Sequence, residues 1–114
     1  DVAPTIVAAA GRPIPPVMQG ADLAGLYRDD TPDPVRDEFF YEHPTITSRD
    51  RIPSSLAVVR RDWKYTSWPE FDYEQLFNLT TDPGELVNLA ADPAHAGRRQ
   101  DFRNRLADWQ ARAR

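Results

Sequence analysis

The chain predicts an α+β domain: a small antiparallel sheet of about four strands packed against a C-terminal amphipathic helix, with a short helix at the N-terminus. Three observations predict it. Residues 37–43 (DEFFYEH), 55–68 (SLAVVRRDWKYTSW) and 74–79 (EQLFNL) carry β-branched and aromatic residues in short alternating runs, as strands do. Phe102, Leu106, Trp109 and Ala113 recur at spacings of four, three and four, which is one stripe of a helix. Between the last strand and that helix, Asp-Pro occurs at 82–83 and again at 92–93, where a carboxylate can cap a turn and proline can take its first position.

In chain order, DVAPTIVAAAG reads as a helix over residues 1–10. Asp1 fits the N-cap, Pro4 is tolerated only in the first turn, and Gly11 suits the position just past the end. Ile6, Val7 and Ala10 give it an apolar face that needs a partner. A helix beginning at residue 1, without an initiator methionine, predicts a piece of a longer protein. Residues 12–36 are punctuated by Pro13, Pro15, Pro16, Pro32 and Pro34 and read as irregular, with one helical turn near 22–26. In strand 37–43, Phe39, Tyr41 and His43 share one face, with Phe39 and Tyr41 expected to pack inward; Phe40 and Glu42 share the other face. A polar loop, 44–51, follows. Strands 55–60 and 63–68 pair as a hairpin turned by Arg61 and Asp62, and 74–79 supplies the fourth strand. Asp82 then caps a turn with Pro83 at its first position and Glu85 at its third, an aspartate version of the capping box that brings Leu86 and Leu89 onto the sheet. Asp92 and Pro93 restart the chain as a helix over 93–113, with Phe102, Leu106 and Trp109 buried.

The bulk numbers exclude some classes. One domain of ordinary globular composition suits 114 residues, 40% hydrophobic and 28% charged. The net charge of −4 argues against a nucleic-acid partner, which would call for a basic face. No apolar run approaches the roughly 20 residues that span a bilayer, so no membrane partner is expected. With no cysteine there is no disulfide and no thiolate metal ligand.

The stretch LFNLTTDPGELVNLA, residues 76–90, resembles the closing signature of the sulfatases: Leu-Tyr/Phe-Asp/Asn-Leu, a short gap, Asp-Pro-x-Glu, two residues, then Asn-Leu-Ala. Other segments agree in order. DVAPTIVAAAG resembles the Asp-Ile-x-Pro-Thr helix late in the sulfatase catalytic domain, PPVMQGADLAGL the Met-Gln-Gly segment after it, and RRDWKY the Arg-Thr-x-x-x-Lys-Tyr hairpin. The resemblance covers nearly the whole chain. It implies that residues 1–36 are the tail of the large catalytic domain and its connector, and that 37–114 are the C-terminal subdomain. It also implies that the N-terminal catalytic domain of the same parent chain is the partner. Sulfatases hydrolyse sulfate esters with a formylglycine made in a Cys/Ser-x-Pro-x-Arg motif and a calcium ion held nearby. That motif is absent here, since Ser54 and Ser55 follow Pro53 and lead into LAVV. No catalytic residue, metal ligand or cofactor is therefore expected in this chain; formylglycine and calcium are expected in the parent. Export of the parent is common in the family.

His43 is the candidate substrate-binding residue. In many sulfatases the C-terminal subdomain lines the pocket mouth, where an imidazole could donate to a sulfate or sugar oxygen. The competing reading is a strand-end histidine satisfied locally. Arg49, Arg51, Arg60 and Arg61 could pair with an anionic substrate, against the commoner role of solvated surface charge. Trp63, Tyr65 and Trp68 could stack on a sugar, although at strand spacing core is the commoner role. Glu38 and Glu42 lack a partner acid for glycosidase chemistry. His95 reads as exposed and has no neighbouring ligand set.

Two classes of function follow. One is the C-terminal portion of a sulfuric ester hydrolase, inert alone, that shapes the parent's pocket for a sulfated substrate, with glycans foremost among the family's substrates. The other is a self-standing carbohydrate-binding or interaction domain that uses the aromatic hairpin. The first predicts that Ile6, Val7, Leu23 and Leu26 form an exposed apolar patch, so that in the free piece this region self-associates or is poorly ordered.

Overall fold

The computed structural model describes residues 1–28 and 36–113. The proline cluster at Pro32 and Pro34 lies outside the described residues. The chain divides into two compact units, Asp1–Asp37 and Glu38–Arg114.

The first unit holds α1 (Val2–Ala9) and α2 (Gly25–Arg28), joined by irregular chain. Gly11 ends α1 as expected. It sits at φ +69°, its N–H reaches the Ala8 carbonyl, and Arg12 N–H reaches the Val7 carbonyl, closing a Schellman motif. Asp1 stands at the N-cap position but does not cap. Its carboxylate accepts from the Ala21 N–H at 2.8 Å and from the Arg36 guanidinium. The Thr5 hydroxyl likewise accepts from the Leu23 N–H at 2.9 Å. The Asp and Thr of DVAPT therefore clip the following segment onto α1. Gly20 is what lets the chain come so close, because a Cβ there would lie 2.4 Å from the Asp1 nitrogen. The helical turn expected at 22–26 forms slightly later, after Asp22 Oδ1 accepts from the Ala24 N–H.

The second unit is a four-stranded antiparallel meander in the order β1 (Glu38–His43), β2 (Ser55–Arg60), β3 (Trp63–Trp68) and β4 (Tyr73–Asn78). The two-residue turn at Arg61 and Asp62 sets the β2–β3 register, placing Val58 opposite Tyr65 and Ala57 opposite Thr66. A short 3₁₀ turn at Pro93–His95, whose first N–H groups are capped by Asp92 Oδ1 accepting from Ala94, leads into α3 (Ala96–Arg112). Phe102 and Leu106 on α3 meet Val58, Trp63, Tyr65 and Leu76 of the sheet, and Phe40, Leu56, Leu89 and Trp109 pack around them.

Two expectations fail in β1 and in the loop after β4. Phe40, not Phe39 and Tyr41, faces the helix, its ring stacked 6.3 Å from Trp109 and within 8° of parallel. Phe40 pairs with Val58, which is wholly buried on the helix side, so the β2 register decides which aromatic row of β1 is inner. No capping box forms at 82–85. Glu85 adopts a left-handed φ of 55° and reaches Lys64 at 2.7 Å, while Asp82 accepts from the Leu86 and Val87 N–H groups at 3.1 and 2.9 Å. The turn leaves Leu86 86% exposed instead of on the sheet. Ala113, expected on the helix stripe, is exposed beyond the end of α3.

Candidate functional site

The closing signature is a device for finishing the edge of the sheet. Asn78 Oδ1 accepts from the N–H groups of Thr80 and Thr81, which reverses the chain as β4 ends. After the Asp82 turn, Asn88 comes back beside β4. Its Oδ1 accepts from the Leu76 and Ala90 N–H groups at 2.9 and 3.0 Å, and its Nδ2 donates to the Glu74 carbonyl at 3.0 Å and the Tyr73 hydroxyl at 3.1 Å. The Leu89 N–H donates to the Leu76 carbonyl at 2.8 Å. The free N–H and C=O of an edge strand are thus consumed by Asn-Leu-Ala, and Ala90 is buried beneath.

The helix side of the sheet is braced by ionic contacts. Glu74 accepts two bonds of 2.6 Å from Arg103 and one from the Tyr65 hydroxyl. Those bonds, the Arg103 fork first, hold the Glu74 carboxyl below the usual glutamate range against the opposing effect of its burial. Burial, then the Glu74 contact, pushes the Tyr65 phenol up to about 12. Glu38 bonds Arg105 at 2.8 Å and the Trp109 indole N–H at 2.9 Å, so it is a structural brace and not an acid catalyst. The Arg105 guanidinium is held above its usual value, chiefly by Asp101 and then by Glu38.

The opposite face is open. It holds Phe39, Tyr41 and His43 from β1, then Ser55, Ala57 and Val59, then Lys64, Thr66 and Trp68, with Gln75 beyond. Nine of these residues, all but His43, line a groove of about 400 Å³. Its floor is small and its walls are aromatic. His43 is half-buried at the end of β1, opposite Ser55, with its ring 6.3 Å from Tyr41. The β1–β2 loop continues past it, narrowed by an Ile46–Ile52 bridge, and Thr45 donates to Glu70 in the β3–β4 connection. The second Glu70 oxygen is buried without a partner among the described residues.

The four arginines are not brought together. Arg49 and Arg51 sit in the loop beyond His43, whereas Arg60 and Arg61 lie at the other end of the six-residue β2, some 17–20 Å away. Trp63 and Tyr65 are core. Trp68 faces the groove, its indole N–H on Gln75 Oε1 at 2.9 Å. His95 is half-buried, its ring 5.6 Å from Trp63, where it was expected to be exposed. The groove itself was missed in the sequence. Its signal was the small residues at alternate positions Ser55 and Ala57 beside aromatic residues at 39, 41 and 68.

Residues 1–112 match the family described as N-sulphoglucosamine sulphohydrolase, C-terminal. A Delta 4,5-hexuronate-2-O-sulfatase of Bacteroides thetaiotaomicron is 30% identical across this whole chain, which spans 24% of that protein. A multifunctional alkaline phosphatase superfamily protein of Trinickia caryophylli is 28% identical over 96% of the chain and 23% of its own length. The solved structure of a 2-O GAG sulfatase superposes with a TM-score of 0.85 at 28% identity, over 98% of this chain and 24% of that one. The chain thus spans about a quarter of the length of the relatives it matches.

Proposed function

The chain belongs to the N-sulphoglucosamine sulphohydrolase C-terminal family, as a sulfatase C-terminal domain, and from that premise we propose that it serves as the C-terminal portion of a sulfuric ester hydrolase acting on a sulfated glycan. The observation that carries the reading is the match over residues 1–112, together with the roles of Asn78, Asp82 and Asn88 of the 76–90 signature in turning the chain and closing the β4 edge. Residues 1–36 would then be the tail of the catalytic domain, and the exposed Val2, Ile6 and Leu26 would be covered in the parent or cause self-association outside it. The sulfated-glycan class rests on what the relatives' names say they act on.

The nucleophile and the calcium do not fit this chain. It has no cysteine, its adjacent serines lack the required motif, and no three His, Asp or Glu side chains converge among the described residues. The catalytic groups belong to the remainder of such a parent, and this domain's contribution is to bind and orient substrate at the pocket rim.

His43 is the residue proposed to touch substrate. It stands at an end of the sheet, half-buried, and no described side chain hydrogen-bonds its imidazole. A hydrogen bond from it to a sulfate or sugar oxygen would donate to an anionic or hydroxyl acceptor. In the parent enzyme, His43→Ala should lower kcat/KM on a sulfated oligosaccharide by about tenfold to a hundredfold, or about 1.4–2.7 kcal/mol. A small aryl sulfate that never reaches the rim should lose much less. Equal losses on both with a lowered melting temperature would make His43 structural.

The aromatic groove favours a second reading, a self-standing carbohydrate-binding domain. Saturable binding of a glycan by the 114-residue chain alone would support it over the first.

A further inference from the structure

The β1–β2 loop that follows His43 is tightly built for an exposed segment. Thr47 holds a φ of +69°, a conformation that crowds a β-branched side chain. The Ser48 N–H donates to the Ile46 carbonyl at 2.8 Å, which makes Thr47 the centre of a γ-turn, a rare and strained form. The Ser48 carbonyl then accepts from the Arg51 and Ile52 N–H groups, each at 3.1 Å, and the Ile46 N–H donates to the Ile52 carbonyl at 3.0 Å, closing the loop. Strain of this kind persists only where the surroundings impose it, and it gathers at ligand clamps and active sites.

Among the described residues, one side-chain hydrogen bond ties this loop to the rest of the sheet. The Thr45 hydroxyl donates to Glu70 Oε1. Glu70 is carried on the 3₁₀ turn Pro69–Phe71, which proline stiffens at its start and which ends on Asp72 at a left-handed φ of 48°. That turn joins β3 to β4, so the anchor belongs to the paired strands. The other Glu70 oxygen is buried and unpartnered among the described residues. A carboxylate left half satisfied costs stability, and packing alone gives no reason for it. Its described use is to hold Thr45.

Past Thr45 the loop presents two guanidinium groups. The Arg49 side chain is 65% exposed and reaches only Asp50, at 3.8 Å, and Arg51 is exposed with no ion-pair partner among the described residues. Arg99, Arg103 and Arg105, by contrast, are committed to hydrogen bonds inside the fold. A guanidinium fork matches two oxygens of one sulfate group. We propose that Glu70 is a positioning residue for substrate recognition: through Thr45 it holds the β1–β2 loop so that Arg49 and Arg51 are presented, at the His43 end of the sheet, to sulfate groups of the substrate. The inference rests on the sulfatase reading above and deepens it by naming what sets the shape of the rim.

A double-mutant cycle in the parent enzyme tests it. Thr45→Val keeps the side-chain shape and removes the hydroxyl, Glu70→Ala removes the acceptor, and Thr45→Ser keeps the donor. On a sulfated oligosaccharide, Thr45→Val and Glu70→Ala should each raise KM several-fold with kcat within about twofold, and the pair together should do no more than either alone. Thr45→Ser should behave as the unmodified enzyme does. In the 114-residue chain, the Ile46 and Ile52 amides should exchange hydrogen faster in Thr45→Val while the amides of β3 and β4 stay protected. Additive effects in the cycle, an unchanged KM, or an equal loss on a small aryl sulfate would overturn the proposal. His43→Ala in the same assay separates the two readings. A loss at His43 with none at Thr45 sinks the positioning role alone, whereas a parent that releases no sulfate from either ester sinks the sulfatase reading and this role with it.

Discussion

The two faces of the sheet are built from the same strands and end in different states. On the helix side, Val58 and Leu76 have no exposure, Tyr65 and Phe102 have 1%, and two acidic residues tie the sheet to α3. On the open side Phe39 and Tyr41 are nearly half uncovered, Trp68 is partly buried, and the fully buried residues are small. Alternation alone makes both rows of β1 aromatic. What separates them is the supply of a complement: the chain carries Phe102, Leu106 and Trp109 for one face and nothing equivalent among the described residues for the other. Stability should therefore depend on the helix face, and interaction on the open face.

The largest effect expected from that contrast is at Phe102. Phe102→Ala opens a cavity in the wholly buried layer and should cost about 3–5 kcal/mol in denaturant unfolding, while Tyr41→Ala in the same chain should cost less than about 1 kcal/mol. Similar costs at both positions would erase the distinction between the faces.

A smaller effect is expected from the brace at Glu74. Its carboxyl is held low, mainly by Arg103, so its stabilisation is complete above the usual glutamate value of about 4.5 and is lost as pH falls through the lower folded-state value. Tyr65 gives the opposite limb. Its phenol is raised from 10.0 to about 12, so that contribution is complete below about pH 10 and lost as pH rises toward 12. Glu74→Gln should cost about 1–3 kcal/mol at neutral pH and flatten the acid limb of the melting temperature against pH. An unchanged acid limb would mean that the brace does not contribute.

How much of this was legible beforehand divides along the same line. The β2–β3 hairpin was readable because a two-residue turn fixes register, and α3 because a stripe of three large side chains has one helical solution. The direction of β1 was not readable. Phe39-Phe40-Tyr41 puts an aromatic ring on either face, and only pairing with Val58 chooses between them. The 82–90 turn was misread for another reason. Asp-Pro-x-Glu fits a capping box locally, but Lys64 on β3 draws Glu85 away, and a contact across 21 residues has no local signature. His43 was placed correctly at a strand end, while the groove beside it needed three strands in register before its floor existed.

The smallest effects sharpen the account of the signature itself. Asn88→Ala removes three hydrogen bonds to β4 and one to the Ala90 N–H and should cost about 1–2 kcal/mol, whereas Leu86→Ser, two residues earlier and exposed, should stay within about 0.5 kcal/mol. If Leu86 proved the costlier of the two, the turn would pack as the capping box predicted.

The most direct measurement is sulfate release from an aryl sulfate by the parent enzyme and by residues 1–114 purified alone. The parent should turn over and the 114-residue chain should not, because its sequence lacks the nucleophile motif and no carboxylate cage forms among the described residues. Turnover that tracks the isolated chain through purification, or a parent that releases no sulfate from any ester, would contradict the account.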